Sequence, residues 1–323
     1  MPAPRTALNG FRPDLGTMFE FDAIMNRQGF IGNMVAPVFE SAEQSGTYGL
    51  IPVKQLLQEP ETGRNSRGDY NRMNFTFEDT TFVTKENGIE IPIDDRQAKI
   101  YRDFFDFEVV CMGAALDVVL RKAEKRIADL VFNATTFAAQ KTTVTNEWDD
   151  YTNATPIADV DAACKAVWNR TGLWPNALII NRHVFRNLRQ CDEITAVIAS
   201  SGAGSSIEPG KITAAQLASV FDLPKIIVAG SARDSANEGQ AVTIANVWSG
   251  EYAMVARVAE TNNIEEPCLA RTIHWGEDGS SIGGTMETYY ADASRGNIGR
   301  VRHETQEKIQ YTELGQLLDN ITT

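Results

Sequence analysis

The sequence predicts an α+β fold. Three observations carry that reading: a long amphipathic helix near residues 105–137, a stretch before it whose apolar period is two, and a region after it in which short apolar strands alternate with helices. The chain has 323 residues and 43% hydrophobic content, enough for a sizeable core in one large or two smaller domains. Its 43 acidic and 30 basic residues leave a formal charge of −13, which argues against a protein that wraps nucleic acid, because phosphate binding needs a basic face. No run of about 18 apolar residues occurs, and the opening MPAPRTALNGFRPDLG lacks an apolar signal core, so neither a membrane span nor a secretory signal is expected. Cys111, Cys164, Cys191 and Cys268 lie far apart with no C-x-x-C pair and read as reduced, mostly buried thiols.

Residues 1–45 hold Pro2, Pro4, Pro13 and Pro37 among several glycines, too many breakers for long regular structure. They also carry Phe11, Leu15, Met18, Phe19, Phe21, Ile24, Met25, Phe30 and Ile31, which an isolated arm cannot hide from water. The arm therefore lies on its own domain or on a neighbouring subunit, and a helix over residues 14–27 packed on its own core fits equally well. Residues 47–53 and 74–84 are β-branched or aromatic and flank LLQEPETGRNSRGDYNRM, a polar stretch rich in turn residues. This reads as a long β-hairpin with Glu59, Glu61, Arg64, Arg67, Asp69 and Arg72 at its tip. A mixed-charge tip is ordinarily a solvated loop, yet a two-stranded ribbon is marginal alone in water and must lean on another surface. Residues 88–94 read as a second strand pair leading into the long helix.

In that helix Val109, Met112, Leu116, Val119, Ala123, Ile127, Leu130 and Ala134 step by three or four residues along one stripe. Asp106 is the expected N-cap, and Asp117 with Arg121 and Lys125 with Asp129 stand one turn apart. A rod of roughly 40 Å follows from about 27 helical residues, and it reads as a core spine because the pattern is too short for a free coiled coil. Residues 138–155, with Trp148 and Tyr151, read as a polar linker. Helices are expected over 157–171, 182–190, 194–199 and 213–221, and strands over 176–181, 225–229, 242–247 and 252–258. Towards the end, 269–275 and 285–291 read as a hairpin around GEDGSSIGG and 301–311 as a strand, while 313–321 fits either a strand or a short helix.

Motifs that could carry chemistry are weak. GSSIG at 279–283 matches G-x-S-x-G on letters, but the nucleophile elbow needs a helix after it, and TMETYY is a strand pattern. GSSIEPGKIT at 204–213 has five residues between its glycines where a phosphate-cradling loop has four, and Ile212 follows Lys211, so a surface loop is the plainer reading. His183 reads as a structural or surface residue in a helix, and His303 as outward-facing in a strand. His274 is a base for Ser281 only if a triad surrounds it. The carboxylate pairs Asp94 with Asp95, Asp149 with Asp150 and Asp159 with Asp161 fall at helix starts or in linkers, where dipole and solubility explain them. No catalytic, metal or cofactor residue is expected, and no cofactor.

The order of parts matters more than any motif. An apolar arm, a long two-stranded loop, a spine helix, a compact α/β insertion and a final β stretch resemble the major capsid proteins of tailed bacteriophages, with the Hong Kong 97-type fold. Three stretches of text carry the likeness: MVAPVFESAEQSGTYGLIP, EWDDYTNATPIADVDAACKAVWNRTGLWPNALIINRHVFRNL and AVTIANVWSGEYAMV. The resemblance implies an N-terminal arm at 1–45, an extended loop at 46–95, a peripheral domain at 96–155 and 260–323 containing the spine helix, and an axial domain at 156–259 that meets its copies at five-fold and six-fold axes. It implies self-assembly into pentamers and hexamers of an icosahedral virion shell, built in the bacterial host cytoplasm around double-stranded DNA that is held without sequence-specific contact. Scaffolding, portal and decoration proteins are further expected partners, and no membrane is.

Two departures from the resemblance matter. Only about 45 residues precede the loop, so scaffolding is expected to be separate or absent. The tip carries Arg64, Arg67 and Arg72 but no lysine, so a non-covalent shell is expected rather than a cross-linked one. Inter-subunit contact candidates are the six tip residues together with Phe11 and Phe19 of the arm. Two alternatives stand beside this reading: an encapsulin-like nanocompartment shell of the same fold, and a soluble α/β serine hydrolase using Ser281 and His274.

Overall fold

The computed structural model describes residues 10–11, 29–74, 76–101, 106–200, 209–293 and 295–322. Its first half supplies β1 (Gly10–Phe11), α1 (Gly32–Val35), β2 (Val38–Ser41), β3 (Ser45–Leu50), α2 (Val53–Leu56), β4 (Glu78–Val83), β5 (Lys85–Asp94), α3 (Asp95–Tyr101) and the long helix α4 (Phe107–Val131). Asp106 caps α4 as the sequence predicts, its Oδ1 accepting from the N–H of Glu108 at 3.1 Å and of Val109 at 3.3 Å. The pairs Asp117 with Arg121 and Lys125 with Asp129 also form. The helix ends at Val131, short of 137, because Asn133 offers the chain an alternative. Asn133 Oδ1 accepts from the N–H of Thr135 at 3.0 Å and of Thr136 at 3.1 Å, a local turn that competes with the helical ladder.

After α4 come β6 (Lys141–Thr143), α5 (Pro156–Thr171), β7 (Ala177–Asn181), α6 (Arg182–Leu188), α7 (Asp192–Ser200), α8 (Ala214–Val220), β8 (Lys225–Ala229), β9 (Ala232–Asp234), β10 (Ile244–Asn246), β11 (Tyr252–Ala256), β12 (Ala270–Trp275), β13 (Thr285–Ala291), β14 (Gly296–Ile309) and β15 (Gly315–Asp319). One sheet of the described residues has the order β6-β15-β11-β7-β8. Strand β7 is buried on both faces, which is why ALII reads as an unbroken apolar run rather than an alternation. Leu178 and Ile180 pack against Val160, Val184, Leu188 and Leu217 of the covering helices, while Ala177 and Ile179 face Met254, Leu317 and the end of α4. Gly172 ends α5 at φ 67°, and Thr213 with Gln216 forms a capping box at the start of α8.

Residues 138–155 are not the polar linker that composition suggests. β6 pairs with β15, and Trp148 is fully buried, its Nε1 donating to Asp159 Oδ2 at 2.9 Å. Polar neighbours mask one large apolar anchor.

The second sheet is organised by β14, whose 14 residues exceed the predicted strand. β12 pairs with it from Ala270↔Ile309 to His274↔Thr305, and β13 from Thr285↔Arg302 to Ala291↔Gly296. Thr305 also pairs with Lys85, so β5 occupies the opposite edge as one ten-residue strand rather than a strand pair. Consequently β12 and β13 lie end to end along one edge of β14 and do not form the predicted hairpin. β14 is simply long enough to template both. β2 adds in parallel to β12, and β1 antiparallel to β13. The undecided stretch at 313–321 contains a single 3₁₀ turn followed by β15.

Helix α4 crosses both layers. Met112, Ala115, Leu116, Val119 and Leu120 pack on Met286 and Val301 of the β14 sheet, whereas Ile127, Ala128 and Val131 enter the cluster of Ile179, Met254 and Leu317. The predicted outward face of His303 is corrected by the same packing. His303 lies 1% exposed beneath α4, its Nε2 3.3 Å from Arg126 Nη2. Burial, and then the Arg126 charge, push its imidazole down to about 4.

Candidate assembly surface

The β3–β4 ribbon pairs from Ser45↔Val83 to Leu50↔Glu78, and its base is fastened to β14. Strand alternation does the fastening: Glu304, Gln306 and Lys308 turn towards the ribbon while His303, Thr305 and Glu307 meet Arg126 on α4. Glu304 Oε1 accepts 2.8 Å hydrogen bonds from Thr84 Oγ1 and Gln44 Nε2, and Gln306 Oε1 accepts one of 2.8 Å from the Val83 N–H. Lys308 donates to Thr80 Oγ1 and to the Thr81 carbonyl, and burial lowers its ammonium pKa. Tyr311 Oη accepts from Ile51 N–H at 3.2 Å and donates to the Ile51 carbonyl at 3.1 Å.

Beyond this anchored base the tip is open to solvent, and Glu59, Glu61, Arg64, Arg67, Asp69 and Arg72 are all exposed. The structure draws two of the six into one knot. Arg64 Nε donates to the Gly68 carbonyl at 2.6 Å, Nη1 donates to Tyr70 Oη at 3.1 Å, and the guanidinium lies 4.5 Å from the centre of the Tyr70 ring. Glu61 Oε1 accepts from Gly63 N–H at 3.0 Å, and its carbonyl accepts from Asn71 Nδ2 at 2.7 Å. Glu59, Arg67, Asp69 and Arg72 have no such side-chain partner among the described residues, and Arg67 sits in a left-handed turn at φ 68°. Sequence reasoning missed the apolar share of the surface. Leu57, Tyr70 and Phe77 are 56%, 71% and 66% exposed, single apolar letters in a polar run with no period to mark them.

On the arm, Phe11 lies opposite Glu287 in the short β1–β13 pairing, while Phe19 and the predicted helix at 14–27 lie outside the described residues. The arm meets the body at Gly29, whose carbonyl accepts from Gly230 N–H at 3.0 Å; a Cβ on Gly29 would stand 2.8 Å from Gly230 Cα. Two residues further, the N–H groups of Ile31 and Gly32 donate to the buried Glu124 carboxylate at 2.8 and 2.7 Å.

The hydrolase constellation does not assemble. Ser281 is exposed, and His274 Nε2 instead faces Ser280 Oγ at 3.4 Å, whose hydroxyl donates to the Trp275 carbonyl at 2.9 Å. No helix follows the serine. Among the described residues no cluster of His, Cys, Asp or Glu could hold a metal ion, and no helix is long and apolar enough to cross a membrane. All four cysteines are buried free thiols.

No family model matches the chain. It is 24% identical over 306 residues to the major capsid protein of Pseudomonas phage JBD67, covering 92% of this chain and 94% of the relative. It is 25% identical over 204 residues to the major capsid protein of Burkholderia phage BcepMu, covering 62% of this chain and 63% of that one. Among solved structures, a phage-related protein from Bordetella bronchiseptica RB50 matches with a TM-score of 0.70 at 16% identity, over 97% of this chain and 98% of the other. The capsid of cyanophage P-SCSP1u matches at 0.57 and 11% identity over 88% and 86%, and the holo-SrpI encapsulin of Synechococcus elongatus PCC 7942 at 0.53 and 12% identity over 91% and 89%. Ribbon, spine helix and paired sheets thus form the Hong Kong 97-type fold of shell proteins. Within that class the chain is of the phage major capsid type, a structural protein rather than an enzyme.

Proposed function

We propose that copies of this chain associate as pentamers and hexamers and close into the icosahedral head of a tailed bacteriophage. The observation that carries this reading is the ribbon: its base is bonded to β14, while its tip exposes Tyr70 and Phe77 and carries four charged side chains that have no partner among the described residues. Such a surface gains stability only on a neighbour. In this reading residues 1–45 are the arm, 46–95 the extended loop, 96–155 and 260–323 the peripheral domain, and 156–259 the axial domain. β6 and β15 extend the axial sheet from the flanking segments. The tip residues Glu59, Glu61, Arg64, Arg67, Asp69 and Arg72, with Phe11 and Phe19, are its inter-subunit contacts, and arginine forks there suit carboxylates of the next subunit.

The head would enclose double-stranded DNA without sequence-specific contact, as the acidic balance of −13 favours a wall to which anionic cargo does not stick. Assembly in the host cytoplasm, and scaffolding, portal and decoration partners, belong to the same proposal. The likeness to an encapsulin supports a second reading, a nanocompartment around protein cargo. Negative-stain microscopy with light scattering on the purified chain tests the first reading. Polyhedra or rings of five or six are expected; a monodisperse monomer would sink it. The contents of native particles, nucleic acid or protein, separate the two.

A further inference from the structure

The β6-β15-β11-β7-β8 sheet exposes large apolar side chains at both of its ends. Register fixes the ends. Ala256 of β11 stands opposite Gly315 of β15 and Ala177 of β7, and Ala177 lies beside Lys225 of β8, so these four residues mark one end. Tyr252, Asp319, Asn181 and Ala229 mark the other. Helix α5 runs to the first end, where Arg170 Nη2 donates to the Gly315 carbonyl at 2.9 Å and the Asn176 N–H to the Ala256 carbonyl at 3.1 Å. Two tryptophans stand there, Trp168 at 51% and Trp174 at 41% exposure, whereas Trp148 and Trp248 are fully buried. Exposed Leu57, at the root of the ribbon tip, adjoins them: Gly172 lies one turn beyond Trp168, and a Cβ on it would stand 2.8 Å from Leu57 Cδ1.

The second end sends out the β9–β10 hairpin. Its base is held there by the Val247 N–H, which donates to the Ser231 carbonyl at 3.0 Å, and by the Trp248 carbonyl, which accepts from Asn181 Nδ2. Asp234 Oδ1 accepts from the N–H groups of Ala236 and Thr243, both at 2.9 Å, so the loop is shaped before any contact forms. It presents Val242 and Ile244, 73% and 78% exposed. At about 150–250 Å² for a whole aromatic side chain, the two exposed tryptophans offer on the order of 200 Å². A stable contact needs about 800 Å² per partner, so the patch is the core of a larger interface. The ribbon tip, which continues directly from Leu57 and is read above as an inter-subunit contact, supplies adjoining surface. Building on that shell reading, we propose that the Trp168, Trp174 and Leu57 patch of one subunit receives the Val242 and Ile244 hairpin of the next copy. A ring of identical subunits needs two different surfaces that complement each other, and this chain carries both at opposite ends of one sheet.

The test uses the full chain. All four native cysteines are buried, so cysteines placed at exposed Asn169 and Thr243, next in sequence to Trp168 and Ile244, are accessible to a short bismaleimide while the native ones are shielded. In assembled particles, Asn169→Cys with Thr243→Cys in one chain is expected to give a covalent ladder longer than a dimer, and each single variant to stay monomeric. Dimers from Asn169→Cys alone would mean that the patch pairs with itself, and a double variant without a ladder would mean that the two surfaces do not meet; either overturns the proposal. A second measure removes the apolar groups. Trp168→Ser with Trp174→Ser, and Val242→Ser with Ile244→Ser, are each expected to lower the yield of rings and shells by at least about tenfold. All four side chains are exposed, so the unassembled subunits should melt like the parent. Either serine pair assembling at the parent yield would also overturn the proposal. The cross-link leaves all the apolar contacts in place and so decides the matter even where a serine pair melts low. A parent chain that forms no particles refutes the shell reading itself, a different failure from particles that give no ladder.

Discussion

Glu124, on the spine helix, accepts a 2.6 Å hydrogen bond at Oε1 from Trp248 Nε1, and the same carboxylate takes the N–H of Ile31 at 2.8 Å and of Gly32 at 2.7 Å. One buried side chain therefore ties together the end of the arm, the spine and the segment between β10 and β11. Burial pushes the carboxyl pKa up, and the three donors draw it back. Three N–H groups converging on one point require a group with acceptors only, which an ionised carboxylate is and an amide is not.

Glu124→Gln keeps the shape and turns an NH₂ towards at least one of those donors. The expected loss is about 1.5–3 kcal/mol of subunit stability, the range for hydrogen bonds to a charged group. Denaturant unfolding followed by tryptophan fluorescence measures it. A loss under about 0.5 kcal/mol would mean that the three bonds contribute little net stability.

His303 makes stability depend on pH. Its folded-state pKa of about 4 lies below the usual 6.5, so the stabilising contribution of the neutral ring is present above 6.5 and is lost as pH falls towards 4. At about 1.4 kcal/mol per unit, the loss is bounded at ~3.5 kcal/mol. Glu124 has the opposite sign, since its raised pKa gives up stability as pH rises through it. The histidine's share is therefore the difference between parent and His303→Gln, whose unfolding free energy should be flatter over that window. Equal slopes in the two proteins would remove His303 as the cause.

The spine helix and its Asp106 cap are legible in the sequence because helical period and capping are local properties. The strands and helices of the α/β unit are legible for the same reason, down to the Gly172 stop and the Thr213 cap. Strand partnership is different. GEDGSSIGG carries the same turn letters whether it joins neighbouring strands or carries the chain past an uninterrupted β14, and only the length of β14 decides between them. Alternation likewise says that His303 and Glu304 face opposite ways, but which face is covered depends on where α4 lands. At the tip, the charged letters are visible in advance, whereas the Arg64 and Tyr70 stack is a product of the turn.

Lys308 should govern how firmly the ribbon sits on its own subunit. It donates to Thr80 and Thr81, and its ammonium lies 5.7 Å from the centre of the Tyr48 ring. Lys308→Met retains the aliphatic stem and removes the donors, at an expected cost of about 1–2 kcal/mol local to β3 and β4. Amide exchange at 45–50 and 78–83 should then quicken by roughly tenfold with the rates in β7 and β11 unchanged. Uniform quickening throughout the molecule would point to global destabilisation rather than a loosened ribbon.

Deleting residues 58–73 separates the tip from the rest of the ribbon's work. Gln55 Oε1 accepts from Thr76 N–H at 2.8 Å, so the two legs already meet below the tip, and a short Gly-Ser link can close them. The fasteners Glu304, Gln306 and Lys308 all lie below the cut. The shortened subunit should melt like the parent, since exposed loop length costs little, and should fail to form closed shells in light scattering and negative stain. The tip carries the exposed Tyr70 together with Arg67, Asp69 and Arg72, charged groups that have no partner among the described residues. If those groups are the neighbour's contacts, their removal leaves nothing for the next subunit to hold. Shells formed at normal yield would instead assign the closing contacts to the body of the subunit and leave the ribbon as decoration.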